Sequence, residues 1–224
     1  VKFDLPIKYY DYNLDIKLIY LKTNYPSIFG SFYDRCQCLL ELQKITAGQN
    51  LIESATKLLD IPKELISVSS QAIRIDPPND TKHTLGWHQE SSYSFFNKNG
   101  NNGLVCWIPL QDTDSSNGTI IVAPNSFQDG WIEPIKAENS KGSSETRTPS
   151  NEIASKFNNL SLEVNKGDVV FMNMDLFHAS GFNSSKTVRF TCRARFHNTL
   201  AEDFVSHRMT PSPSRNDLNN IFRN

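Results

Sequence analysis

The sequence predicts a mainly β domain, a sandwich or barrel, preceded by a helical N-terminal part, and two observations carry that expectation. From Ser67 onward, short β-type runs alternate with Gly, Asn, Asp and Pro: SVSSQAIRI, GLVCWIPL, GTIIVAP, LSLEV, DVVFMNM and KTVRFTCRARF. Many short strands separated by turn signals mark an all-β sandwich or barrel. Residues 1–66 instead favour helix, notably in YPSIFGSFYDRCQCLLELQKITAG and QNLIESATKLLDIP. The expected organisation is a single domain over 1–224, with a helical part at 1–66, a β core at 67–200 and a C-terminal tail at 201–224. No internal repeat is visible.

Taken in order, the elements have local causes. Leu51, Ile52, Ala55, Leu58 and Leu59 recur at spacings of three and four, which places them on one apolar helical face. Pro62 closes that helix. In the last strand-like run, counting by twos separates Val188, Phe190, Cys192, Ala194 and Phe196 from Arg189, Thr191, Arg193 and Arg195. The second set faces either a polar interior or solvent. An arginine inside a barrel needs an anionic partner, because unpaired buried charge is expensive. Two segments break the rhythm. NKNGNNG (97–103) is a turn-rich connection, and KAENSKGSSETRTPSNE (136–152) is polar with almost nothing to bury. Such a long polar segment reads as a disordered insertion or an active-site lid.

Composition narrows the function. A chain of 224 residues and 25.4 kDa is large enough to bury a real core. Its 23 basic and 24 acidic residues, net −1 with a pI near 6.6, lack the basic footprint of a nucleic-acid binder. No apolar run approaches the ~20 residues of a membrane span. The sequence opens at Val1 without a charged-then-apolar leader, so a cytoplasmic location is expected. Cys36, Cys38, Cys106 and Cys192 show no zinc-finger spacing and are expected to be buried free thiols.

The stretch GWHQESSY (86–93) carries the first chemical signal. His88 and Glu90 are one residue apart, so in an extended chain both project to the same side and can converge on a metal. Alone, the pattern more often marks a surface loop whose His and Glu face water. Among the other histidines, His83 lies in a polar loop, and His197 and His207 follow the last clear strand as structural or exposed residues. His178 differs, because it follows the strand-like GDVVFMNMDLF and opens the small-residue stretch HASGFNSS. Two histidines and a carboxylate with open positions form the facial triad of non-haem iron(II) oxygenases. Arg189, eleven residues after His178, suits a bidentate grip on a carboxylate. Ser180, two residues beyond His178, shares its side and can donate a second hydrogen bond.

On WHQE (87–90), LVCWIPLQDTDSSNGTIIVAPNS (104–126) and NKGDVVFMNMDLFHASGFNSSKTVRFTCRARF (165–196), the chain resembles the phytanoyl-CoA dioxygenase family of Fe(II)/2-oxoglutarate-dependent oxygenases. The resemblance implies a double-stranded β-helix, or jelly roll, with N-terminal helices on the larger sheet. It implies that His88, Glu90 and His178 bind iron, and that Arg189 with Ser180 holds the distal carboxylate of 2-oxoglutarate. Trp107 matches a family tryptophan beside the cosubstrate, and Gln71 a polar pocket position. The implied reaction oxidises a small-molecule substrate and releases succinate and CO2. A carboxylate ligand favours hydroxylation over halogenation, since no position is vacated for halide. The alternative is a jelly-roll module that binds metal or sugar without turnover. Two positions depart from the family: Glu90 replaces its usual Asp, and Phe127 replaces a common His after Ser126. The pocket walls are expected in the loops 91–103 and 127–152.

Overall fold

The computed structural model describes residues 13–81, 84–92, 99–136, 147–148, 153 and 155–204. His83, His207, most of the polar 136–152 segment, residues 93–98 and the tail beyond 204 lie outside the described residues. Four helices come first: α1 (Leu14–Asn24), α2 (Pro26–Cys36), α3 (Leu40–Thr46) and α4 (Gln49–Leu59). The Asn13 side chain caps α1 by accepting from the Asp15 N–H at 2.9 Å, and Pro26 opens α2 where no N–H is needed. In α4, Ala55 is buried and Leu51, Ile52 and Leu59 pack beside it, but Leu58 is exposed. The buried stripe is therefore narrower than the periodicity implies. The helix ends at Asp60 in the left-handed region (φ 52), two residues before Pro62.

Among the described residues nine strands follow: β1 (Ile66–Asp76), β2 (Gly103–Pro109), β3 (Ile120–Val122), β4 (Ile135–Lys136), β5 (Arg147–Thr148), β6 (Leu160–Ser161), β7 (Val170–Asn173), β8 (His178–Ser180) and β9 (Arg189–Asn198). The larger sheet has the order β1-β9-β2-β7 and the smaller β6-β3-β8, with β4 and β5 forming a separate pair. Every strand pairing is antiparallel. This is the expected jelly-roll arrangement, although the sheets stay open rather than closing into a barrel.

Alternation along β2 and β9 builds two cores. Outward, Cys106 and Ile108 join Cys192, Ala194 and Phe196 against Leu42 of α3 and Ala55 of α4. Inward, Val105 and Met172 meet Ile120 and Val122 of the smaller sheet. A third cluster seats Leu18, Phe29 and Cys36 of α1 and α2 on Ile75 and Val188. The apolar side of β9 thus faces the helices, which commits its arginines to the interior. β9 also extends further than expected, so His197 is a strand residue. It is fully buried, with a ring nitrogen 2.9 Å from Ser69 Oγ. All four cysteines are free, and Cys38 is exposed rather than buried. Among the described residues, no helix is long and apolar enough to cross a membrane.

The outer edge of β1 is covered by a side chain. The Gln37 amide donates to Ile73 O at 2.9 Å, and its oxygen accepts from the Ile73 N–H at 3.0 Å. One amide thereby imitates a neighbouring strand at an otherwise open edge. Gln37→Leu removes both bonds, and we expect a loss of about 1–3 kcal/mol. Urea denaturation measures it, and an unchanged midpoint would mean that water serves this edge equally well.

Candidate metal centre

The candidate centre starts from two reciprocal backbone hydrogen bonds. The His88 N–H donates to His178 O at 3.0 Å, and the His178 N–H donates to His88 O at 3.1 Å. A hydrogen-bonded antiparallel pair places both side chains on one face, and here the ring centroids lie 4.3 Å apart. Gln89, between the ligand candidates, points the other way and anchors the loop. Its amide donates to Gly130 O and Asp175 O, both at 2.7 Å, and accepts from the Ile132 N–H at 2.8 Å. On the β8 side, Gly118 (φ +80) allows close backbone packing, since a Cβ there would sit 2.7 Å from Gly181 O.

The rings are fixed in one tautomer. His88 Nδ1 lies 2.7 Å from Gly86 O, and His178 Nδ1 lies 2.9 Å from Leu176 O. A carbonyl only accepts, so each Nδ1 carries the hydrogen and each neutral Nε2 keeps a lone pair. Those nitrogens lie 3.8 Å (His88) and 3.5 Å (His178) from Glu90 Oε2. Burial pushes the His178 pKa down to about 4 and holds His88 well below its usual value, with the neighbouring ring adding to the effect at His88. Two imidazole lone pairs and a carboxylate oxygen, all buried and within 4.8 Å of one another, could hold a cation. The donor set suits iron(II), zinc and similar divalent metals.

The arginines of β9 complete the electrostatics. Arg195 Nη2 forms an ion pair with Glu90 Oε1, and Arg193 Nη1 lies 3.7 Å from the same oxygen. Burial lowers the Arg195 pKa to about 10, which leaves it charged at neutral pH. At the start of the strand, Arg189 Nη2 meets Asp76 Oδ2 at 2.6 Å, while Arg74 Nη2 meets Asp76 Oδ1 at 2.8 Å. Burial alone would raise the Asp76 carboxyl, but Arg74 and Arg189 together hold it below the usual carboxylate range.

These groups border a cavity of about 660 Å³ that reaches from the histidine pair to α1 and α2. Ser180 and Trp107 line it, as do Arg74, Arg189, Thr191, Arg193 and Arg195. In its wall, Arg189 Nε, Thr191 Oγ1 and Arg195 Nε are buried without a hydrogen-bond partner. Gln71 is not among the lining residues. The β1 register slips between Ser69 and Ala72, with Ser70 at φ 51, and this bulge turns Ala72 and Arg74 inward instead. Sequence reasoning passed over Arg74, Asp76 and Thr191 as site residues. The i, i+2 pair Arg74 and Asp76 in IRIDP, and the place of Thr191 on the arginine face, were the available signals.

A family model described as Phytanoyl-CoA dioxygenase (PhyH) matches residues 47–191. No functionally curated protein matches the sequence. EvdO2 from Micromonospora carbonacea var. aurantiaca, solved with 2-oxoglutarate, has a TM-score of 0.58 at 18% identity, covering 77% of this chain and 67% of its own. The epimerase SnoN from nogalamycin biosynthesis, solved with Fe3+, α-ketoglutarate and nogalamycin RO, has a TM-score of 0.55 at 15% identity, covering 70% and 58%. AviO1 from Streptomyces viridochromogenes Tue57 has a TM-score of 0.52 at 20% identity, covering 70% and 61%. At these identities the likeness is one of fold. The chain spans 61% of AviO1 and 58% of SnoN, about three-fifths of their length.

The buried histidines set a pH dependence with a definite sign. His178 and His197 both fall to about 4 in the folded protein, burial being the main cause. The unfolded chain takes up these protons near pH 6.5, before the folded protein does, so stability declines as pH falls from there toward 4. The urea midpoint of the metal-free protein should be level above about pH 7 and drop progressively below about 6.5. His197→Gln should flatten that slope without touching the ligand candidates. A slope unaltered by the substitution would count against the depressed value at His197.

Proposed function

Because the chain belongs to the phytanoyl-CoA dioxygenase family, we propose that it is an Fe(II)/2-oxoglutarate-dependent dioxygenase that hydroxylates a small-molecule substrate at an unactivated C–H bond. The carrying observation is the convergence of the buried His88 Nε2, His178 Nε2 and Glu90 Oε2 at the wall of the cavity. The donor set fits iron, and the cavity wall fits a dicarboxylate cosubstrate. Arg189 Nε and Thr191 Oγ1 are buried donors lacking acceptors, as a site for an anionic ligand requires.

In this reading His88, His178 and Glu90 hold the metal. Arg189 grips the distal carboxylate of 2-oxoglutarate, helped by Ser180 and by Thr191. Asp76 orients Arg189 through Nη2 and leaves Nε toward the cavity. Trp107 flanks the cosubstrate, and the far side of the cavity is lined by Phe29 and Tyr33 of α2, by its C-cap Gln37 and by Lys22 of α1. Iron with 2-oxoglutarate, when bound, supplies the oxygen-dependent oxidation that gives succinate and CO2. The protein contributes binding, orientation and exclusion of water. Glu90 keeps the third ligand position filled, which favours hydroxylation over halogenation. Small-molecule chemistry also occurs in neighbours of this fold, since SnoN is an epimerase and SnoK a carbocyclase of nogalamycin biosynthesis.

Succinate formation from 2-oxoglutarate with iron(II) and oxygen tests the reading, including slow turnover without the true substrate. We expect Arg189→Ala to weaken 2-oxoglutarate binding about a hundredfold or more, because it removes one half of a buried charge pair. Thr191→Val removes one hydrogen bond to a charged group and should weaken it roughly tenfold. His178→Ala should abolish metal binding. Wild-type protein that neither binds 2-oxoglutarate nor forms succinate would leave the binding-module alternative in possession.

A further inference from the structure

We propose that Arg195 is a positioning residue for the third metal ligand: it engages Oε1 of Glu90 and thereby presents Oε2 alone to the metal. The proposal rests on the metal-centre reading above. A glutamate at this position has one methylene more than an aspartate, hence an extra torsion, and its carboxylate is free to swing or to chelate with both oxygens. The structure divides those oxygens. Oε2 faces the two histidine nitrogens at 3.5 and 3.8 Å, while Oε1 faces Arg195 Nη2, with Arg193 Nη1 at 3.7 Å. One anion lies between the guanidinium and the position for the metal, so the two cations share it from opposite sides.

The two partners are held by different parts of the backbone. Glu90 begins a short 3-10 turn (Glu90–Ser92) outside the sheets. Arg195 lies inside the larger sheet, opposite Ser69 of β1 on one side and Val105 of β2 on the other. The Arg195 backbone cannot shift without breaking register, and Gln89 and Ser91 tie the backbone beside Glu90, so what Arg195 orients is the Glu90 side-chain carboxylate. Arg195 is only 8% exposed, and its Nε has no hydrogen-bond partner, so the Nη2 contact with Glu90 is the bond that aims its guanidinium at the carboxylate. Arg193 is a weaker substitute, because its side chain is 33% exposed and its contact is longer. One face of β9 then carries two tasks: Arg189 and Thr191 serve the cosubstrate end, and Arg195 serves the ligand.

Cobalt(II) binding to the purified protein, followed by its visible absorption and by competition with a chelator, tests the assignment. Arg195→Met should weaken cobalt binding about 10–100-fold, as loss of a ligand's supporting partner typically does, and should alter the absorption band as Glu90 gains freedom. Arg195→Lys keeps the charge without the planar fork, so it should fold and fall between the two. In Arg195→Ala, added methylguanidinium should restore affinity and band shape, whereas methylammonium should not. Wild-type affinity and spectrum in all three variants would overturn the role of Arg195. So would a loss of affinity with an unchanged spectrum that methylguanidinium does not recover, which is the signature of a merely structural residue. Wild-type protein that takes up no cobalt overturns the metal centre itself, and this proposal with it.

Discussion

The pairing on which this molecule depends is the two-bond exchange between His88 and His178. It joins a loop that belongs to no named strand to the edge of the smaller sheet. Because the bonded pair must turn both side chains to one face, the same bonds that satisfy the backbone also bring the imidazoles together. The loop's remaining ties hold that geometry in place. Gln89 fastens its opposite side to Gly130, Ile132 and Asp175, and the Ser91 N–H donates to Met174 O at 3.0 Å. Glu90 inherits its position from these constraints and from Arg195.

Around that pair the interior is polar in an ordered way. Two arginines share Asp76 at one end of β9, and two face Glu90 at the other. Each carboxylate therefore meets more cationic than anionic neighbours. At Asp76 this holds the carboxyl below its usual range, and the surplus of arginines leaves positive potential in the cavity for an anionic guest. The neutral histidines contribute no charge to oppose a metal, since burial keeps them unprotonated against the opposing pull of their Nδ1 contacts with Gly86 O and Leu176 O.

The helices make this interior possible without lining most of it. α3 and α4 cover the outer face of the larger sheet, so Cys106, Cys192, Ala194 and Phe196 are spent on packing. α1 and α2 seat on the β1 side and close the cavity's far end, and Gln37 seals the strand edge as it does so. Burying the apolar side of β9 against helices is what turns its charged side inward.

Much of this was legible in the amino-acid sequence. The two regimes, the helix over 49–59, most strands, the H-x-E pair and the two-sided character of the last strand all follow from local periodicity and turn residues. Local pattern reports the period of an element and which residues share a side. It does not report which way that side turns. Only the tertiary structure decided that the arginine face looks inward, that Arg195 reaches Glu90 across 105 positions, that a bulge removes Gln71 from the cavity wall, and that Leu58 and Cys38 are exposed. The sequence already preferred His178 to His197, and the tertiary structure supplies the physical ground. Both are strand residues with depressed pKa values, and sheet register places one against His88 and the other between Ser67 and Gly103, because register depends on partners far away in the chain.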